Sequence, residues 1–449
     1  MDRTPPELLH MICAALEPAD VPSFRLLDRR CAGIGLKYLF PDGQVDFYLS
    51  KSDLSRLDKI AEHPKLREHV ETLQYEAHHL DPKRKSFKQW KESVRNEYMT
   101  NVSFRQRRSK LRLSTRMDWR RHYDIYLEKM REQTEILQQM QDFLTLSRVF
   151  EKCPNVRALV FSNGYTFHNY RRIHDPFEAA LQKPYCHLEP MGVEQLLMAL
   201  IASASPYAKL AKLIAGTISW EFFSRVDCCP SVLIRSACSS LTHLQLELTT
   251  GMTEDGIVGV EVAACRRQLE TDGSIRKFLR RIPNLEVLDL TFDFMNENLD
   301  SSIFDPVYPA DLKDIIPDGH VWPKLRTLRL GCFETLQSDL MRFLDNHKDT
   351  LENLTLIDVT LNLKFIDGRV EEGGSWMELL PHIRNTLTLE YGCLHGEISG
   401  CGGHLGGDEE WHINHECVPG DENFQEEIIN YLTRKTDVCP LREDNMYFE

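Results

Sequence analysis

The sequence predicts an α/β chain, an irregular solenoid of parallel strands with helices outside, preceded by a small all-α motif. Three observations lead there. An apolar triplet recurs along the body, helix-periodic segments lie between its copies, and the first forty residues read as three short helices.

The triplet is an apolar residue, two others, an apolar residue, one other, and an apolar residue. It occurs as Val70, Leu73, Tyr75; Val156, Leu159, Phe161; Leu241, Leu244, Leu246; Leu285, Leu288, Leu290; Leu325, Leu328, Leu330; and Leu351, Leu354, Leu356. A weaker copy is Leu210, Leu213, Ala215. Several copies share a lead-in, such as Cys153-Pro154-Asn155, Ile282-Pro283-Asn284 and Trp322-Pro323-Lys324. The last two positions alternate, so both point to one face of a short strand, and the first approaches from the preceding turn. This is the strand portion of a leucine-rich repeat. Helical segments such as Gln195 to Leu200, Ile275 to Leu279 and Leu340 to Leu344 separate the copies. Successive first positions fall 86, 54, 31, 44, 40 and 26 residues apart. Regular leucine-rich repeats run about 20–29 residues, so a curved, insert-laden, leucine-rich-repeat-like solenoid over 46–440 is expected, with 441–449 a C-terminal tail.

The N-terminal segment 1–45 carries the sharpest local pattern. Thr4-Pro5-Pro6-Glu7 reads as a capping box, with Thr4 at the N-cap, Pro5 at the first helical position and Glu7 at the third. Leu8, Leu9, Ile12 and Leu16 follow at helical spacing until Pro18. Asp20 can cap a second helix carrying Phe24, Leu26, Leu27 and Cys31, and Ile34 to Phe40 closes at Pro41-Asp42-Gly43. So many apolar residues in forty positions cannot all be buried internally, so a partner or the next domain must cover the excess.

Bulk properties narrow the class. Hydrophobic residues make up 42% and charged residues 27%, which is globular rather than disordered composition. A formal charge of −14 disfavours nucleic-acid binding by the whole surface. No apolar leader follows Met1, and the most apolar region, Gly192 to Trp220, is interrupted by Glu194, Pro206, Lys209 and Lys212, so no membrane span is expected. Thirteen cysteines without a C-x-x-C pair fit reduced thiols in the cytoplasm or nucleus.

The string TPPELLHMICAAL followed by VPSFRLLDRRCAGIGLKYLF resembles an F-box motif. Together with the repeats, with His63-Pro64-Lys65-Leu66-Arg67-Glu68-His69-Val70-Glu71-Thr72-Leu73, and with Ile218-Ser219-Trp220-Glu221-Phe222-Phe223, the chain resembles F-box proteins of filamentous fungi. That resemblance implies a non-enzymatic adaptor whose motif binds the Skp-type adaptor of an SCF-type cullin–RING ubiquitin ligase and whose body holds a protein target. By matching position, Pro5, Pro6, Leu8, Leu9, Ile12, Leu16, Phe24 and Leu27 would form the adaptor-binding face. The sequence departs from the usual motif at Thr4, where leucine is common, and at Val21-Pro22.

A helical insert is expected at 83–147. Between Lys83 and Glu132 stand sixteen Lys or Arg against six Asp or Glu, so the insert carries +10 and the remainder −24. Trp90, Phe104, Trp119, Tyr123 and Tyr126 are interspersed, a combination able to bind nucleic acid. The plainer reading is a charged helical hairpin whose aromatics pack on the repeats. Cys393, His395, Cys401, His404, His412, His415 and Cys417 are zinc-competent, but their spacing matches no zinc module and reads as a glycine-rich surface loop. No P-loop, H-E-x-x-H or G-x-S-x-G string occurs, so no catalytic site and no cofactor are expected. The rival readings are a non-ligase repeat scaffold and a nucleic-acid-associated protein working through the insert.

Overall fold

The computed structural model describes residues 4–77, 80, 85–100, 118–162, 192–250, 258–293, 308–362, 364–366, 369–372, 374–401, 408–413 and 422–442. They form a mixed α/β chain with mostly parallel strand pairing. It divides into two compact units, Met1–His187 with Ser205–Ala208, and Leu188–Ala204 with Lys209–Glu449.

The first unit opens with three short helices, α1 (Pro6–Ala14), α2 (Val21–Arg25) and α3 (Arg29–Ile34). The expected capping box at Thr4 does not form. Pro5 is the N-cap, with ψ 144°, and Pro6 takes the first helical position. A residue before proline is pushed out of the helical region, so Pro6 forbids Pro5 from starting the helix. The Thr4 carbonyl instead accepts from Arg30 at 2.7 Å. The second expected helix is likewise two, because Asp28 adopts an extended backbone and accepts from the Cys31 N–H at 2.8 Å, starting α3 afresh. Asp20 makes no side-chain cap.

Strand β1 (Gln44–Tyr48) leads into α4 (Lys51–Glu62), which Ser50 caps: its Oγ accepts the Asp53 N–H and donates to Asp53 Oδ2. Strand β2 (Thr72–Glu76) follows. Next come α5 (Phe87–Thr100), α6 (Trp119–Gln138) and α7 (Gln141–Lys152), then β3 (Ala158–Ser162). The three strands pair in parallel, with Val45, Leu73 and Leu159 in one file and Phe47, Tyr75 and Phe161 in the next. In the second file Phe47 stacks on Tyr75 with ring centroids 4.6 Å apart, and Phe161 meets Tyr75 edge-on at 5.4 Å. At its centre the buried Tyr75 hydroxyl donates to Asp142 Oδ2 at 2.8 Å. Burial and the Asp142 carboxylate drive the Tyr75 pKa well above its ordinary value, so it stays a donor.

The second unit repeats one scheme. After α8 (Val193–Ala202) come β4 (Lys212–Ser219), α9 (Phe222–Asp227), α10 (Ser231–Cys238) and β5 (His243–Thr249). Then follow α11 (Val258–Asp272), α12 (Ser274–Leu279), β6 (Val287–Asp293), α13 (Leu312–Ile315) and β7 (Thr327–Thr335). The unit closes with α14 (Gln337–Asp345), β8 (Asn353–Leu361), the small hairpin β9 (Lys364–Ile366) and β10 (Arg369–Glu372), α15 (Trp376–Thr386), β11 (Tyr391–Cys401), β12 (Asp408–Ile413) and α16 (Glu422–Leu432). Strands β4, β5, β6, β7, β8 and β11 pair in parallel in that order, and β12 pairs antiparallel to β11.

The triplet residues line up across these strands. Leu213, Leu244, Leu288, Leu328 and Leu354 form one buried file, and Ala215, Leu246, Leu290, Leu330, Leu356 and Leu394 the next. The first positions, Leu210, Leu241, Leu285, Leu325 and Leu351, are also buried, just ahead of their strands. The turn there has a constant hydrogen-bond signature. The carbonyl after each first position accepts two successive N–H groups of the next strand. Ala211 takes Thr242 and His243, Thr242 takes Glu286 and Val287, and Glu286 takes Arg326 and Thr327. Arg326 then takes Glu352 and Asn353, and Glu352 takes Glu390 and Tyr391. Within the first unit Glu71 does the same for Arg157 and Ala158. The last step reveals a copy hidden in the sequence, Leu389, Gly392, Leu394.

Three neighbouring strands share an interruption. Cys332, Asp358 and Gly396 have φ of 58°, 48° and 74°, in the left-handed region. Between β8 and β11 the register shifts there, after His395 and before Ile398. Asp358 Oδ1 accepts the Glu397 N–H at 2.8 Å. Glycine is needed at 396, because a Cβ would strike the Asp358 carboxylate.

The buried His347 is paired at both ring nitrogens. His347 Nε2 accepts the Trp322 N–H at 3.1 Å while its Nδ1 lies 2.9 Å from the Phe343 carbonyl, which fixes a neutral tautomer. Burial accordingly lowers its pKa. No helix among the described residues is long and apolar enough to cross a membrane.

Candidate functional site

The eight residues picked from the motif separate by helix geometry. Leu9 is buried with Cys13, Val21, Phe24 and Cys31 in a small core, against which Leu16, Ile34, Tyr38 and Leu39 pack. Leu8 and Ile12, four residues apart, share a second face of α1 beside the one that Leu9 and Cys13 share. Leu8, Ile12 and Leu27 are 47%, 48% and 55% exposed, and Pro5 and Pro6 are exposed at the helix start. Leu9 and Phe24 are thus corrections to the expected face: they hold the motif together. Two exposed apolar residues lie outside the expected set. Met11 and Leu26 are exposed by 67% and 87%. Met11 lies three residues after Leu8, a spacing that would have found it.

Scattered exposed leucines need no explanation, but clusters do. Five of the thirteen exposed large apolar residues among those described fall between Leu8 and Leu27. Local polar contacts keep the helices that carry them in place. Arg25 Nε donates to the Ala32 carbonyl at 3.3 Å, and His10 Nδ1 lies 3.1 Å from the Tyr38 hydroxyl. The Cys31 N–H holds Asp28 ionised, lowering its pKa. The arrangement can present an apolar surface without spending its own core.

The basic insert uses its aromatics internally. Trp90, Tyr123 and Tyr126 are buried with Tyr48, Leu80 and Val94, and Phe87 and Trp119 pack against them. Lys91 Nζ sits 5.2 Å from the Trp119 ring and Arg120 5.4 Å from Phe87. Tyr123 donates to the Lys85 carbonyl at 2.8 Å. Trp90, Tyr123 and Tyr126 are thereby closed to a base, while Phe87 and Trp119 are half-buried. Phe104 and the run Arg105-Gln106-Arg107-Arg108 lie outside the described residues.

The zinc-competent segment is not a surface loop where it is described. Cys393, His395 and Cys401 stand on β11 and His412 on β12. His404, His415 and Cys417 lie outside the described residues. Cys393 is buried and receives the Gln425 amide at 3.1 Å. The titratable cluster on this hairpin is a different one, Glu397, Glu410 and His412, and His412 Nε2 lies 2.6 Å from Glu410 Oε1. Glu397 escaped notice because a lone glutamate carries no motif, and its neighbours in space are thirteen and fifteen residues away.

Two buried titratable groups elsewhere in the second unit oppose each other. Burial, and then Asp311, push Asp314 up to about 6, with Lys313 and Arg276 pulling the other way. Burial, and then Lys212, pull His243 down to about 4. Asp314 binds its proton more tightly folded than unfolded, so its stabilisation is present below pH ~4 and is lost as pH rises through 6. His243 is held neutral, so its contribution is present above pH ~6.5 and is lost as pH falls towards 4. Each shift corresponds to at most about 3 kcal/mol, and solvent screening of these partly exposed groups lowers it. Chemical denaturation of the wild type between pH 4 and 6 should show the two slopes cancelling. His243→Gln should leave stability falling with pH over that window, and Asp314→Asn should leave it rising. Parallel profiles for the two variants would refute the assignment.

No family of known proteins matches the chain, and none of the curated proteins is similar to it.

Proposed function

We propose that the chain is a substrate-recognition adaptor of an SCF-type cullin–RING ubiquitin ligase. The N-terminal helices dock a Skp-type adaptor through Leu8, Met11, Ile12, Leu26 and Leu27, with Pro5 and Pro6 at the edge. The body is an irregular leucine-rich-repeat-like solenoid that holds a protein target in the cytoplasm or nucleus. Catalysis belongs to other subunits, and this chain contributes proximity, which raises the effective concentration of the target.

The observation that carries the reading is the division of α1 into a buried side and an exposed apolar side. A motif that only capped the repeats would hide Leu8 and Ile12. The resemblance to F-box proteins of filamentous fungi supplies the partner. In-register leucine files and the recurring two-donor carbonyl support the repeat reading. The buried insert aromatics weigh against the nucleic-acid alternative.

The test is binding of the purified chain to a Skp-type adaptor, comparing wild type with a Leu8→Asp, Ile12→Asp double variant. Both positions are exposed, so the variant keeps its fold, while two carboxylates forced into an apolar interface should weaken binding by at least about a hundred-fold. Leu9→Asp makes the contrast, because it places a charge in the motif's own core and should unfold those helices. A wild-type chain that does not bind, or a double variant that binds as well, sinks the proposal.

A further inference from the structure

The hairpin of β11 and β12 has a buried face and a half-buried polar face. Ile398, Trp411 and Ile413 are fully buried on the first. On the second stand Glu397 and Ser399 from β11 and Glu410 and His412 from β12, with Glu397 directly opposite His412 and Ser399 opposite Glu410. Directly opposed residues in an antiparallel pair have Cβ atoms about 4.5–5.5 Å apart, so the backbone itself sets the spacing of these side chains. A register slip would expose Trp411 and Ile398, which pins the arrangement.

We propose that Glu397, Glu410 and His412 form a site for a divalent first-row transition cation. One ligand atom from each lies within 4.8 Å of the others, and all three residues are half-buried. Carboxylate oxygen and imidazole nitrogen bind such ions at about 2.0–2.2 Å, so small side-chain rotations bring the three atoms onto one ion. Two carboxylates and one imidazole suit borderline ions such as Zn²⁺ or Co²⁺, or the harder Mn²⁺, rather than soft thiophilic ones. The hydrogen bond between His412 Nε2 and Glu410 Oε1 is exchanged for a bond from each to the cation.

The ligands are preorganised from behind. The Glu397 N–H is held by Asp358 Oδ1, and Asp358 is itself fitted against Gly396. Ser399 Oγ is 2.7 Å from Thr360 Oγ1, tying the same face to β8. Three protein ligands leave coordination positions open, so the ion could also take an oxygen or nitrogen donor from a bound molecule. The site is built from residues of the second unit alone, and its test does not depend on the ligase reading.

The experiment is titration of the chelator-treated full chain with Co²⁺, followed by visible absorption and calorimetry. The expected result is one equivalent bound, with ligand-field bands and no thiolate-to-cobalt charge-transfer band. Glu397→Gln and His412→Gln should each weaken binding by at least about ten-fold, while His382→Gln on α15 should not change it. Near-ultraviolet circular dichroism checks that each variant folds. Should His412→Gln fail that check, the nearly isosteric Glu397→Gln and Glu410→Gln carry the comparison. Absence of stoichiometric binding, affinity unchanged in the carboxamide variants, or a thiolate band would each overturn the proposal.

Discussion

Leu288→Ala should lower the unfolding free energy of the second unit by about 3–4 kcal/mol, whereas Asp289→Ala, one residue along, should cost under about 1 kcal/mol. Leu288 has no exposed surface and lies in register between Leu244 and Leu328. Truncation there removes transfer free energy and leaves a cavity walled by two other strands, which cannot both move in to fill it. Asp289 is on the opposite face, where burial raises its pKa and Arg329, 3.8 Å away, offsets part of the cost. An ion pair of that length at a partly exposed site adds little. Urea denaturation of both variants at neutral pH is the measurement. Equal losses would mean that the strand does not alternate as described.

A second large effect is expected from Glu409→Ala, about 2–4 kcal/mol. Glu409 is buried and accepts the Trp376 N–H at 2.8 Å and the Ser375 hydroxyl at 2.7 Å. Ser375 occupies the N-cap of α15 without capping it. A carboxylate from a strand therefore takes the capping role and meets the positive end of the helix dipole. Removing it strands two donors in a site closed to water. Close backbone approach makes room for it: a Cβ on Gly400 would run into the Gly374 carbonyl. Glu409→Gln keeps one good acceptor and should cost roughly half as much. Thermal melts of the two variants would order them, and an alanine variant as stable as the glutamine one would remove the capping argument.

The central repeats were legible because a leucine file in a parallel sheet is written twice in each copy, at both inward positions. The end copies were not. In the first, Asp42 and Gly43 stand where an apolar residue leads the others, with Gly43 offering the carbonyl to the Glu71 N–H. In the last, Gly392 replaces the central leucine because Leu432 of α16 occupies that space. Both exceptions arise from tertiary contacts, which no periodicity reports. Within the N-terminal motif, apolar spacing marked the helices but could not tell inward from outward residues, since Leu8, Leu9 and Ile12 are chemically alike. The Glu397, Glu410 and His412 cluster was invisible for another reason. It exists only through the pairing of two strands, and the Cys and His residues that attracted attention there are partly structural, as with buried Cys393.

The interruption shared by β7, β8 and β11 has a consequence for how this chain can change in length. Before it, Leu328, Leu330, Leu354 and Leu356 occupy even positions on the buried face; after it, Phe333, Val359 and Leu361 occupy odd ones. Deleting Cys332 alone would let β7 alternate regularly with Phe333 still inward, but would shift every later residue of β7 by one against β8, which kept its extra residue. A matching deletion of Asp358 would realign those two strands and leave β11 out of step. Chain length at this level is thus a property the three strands hold in common, so single-residue insertions and deletions here are admissible only in concert.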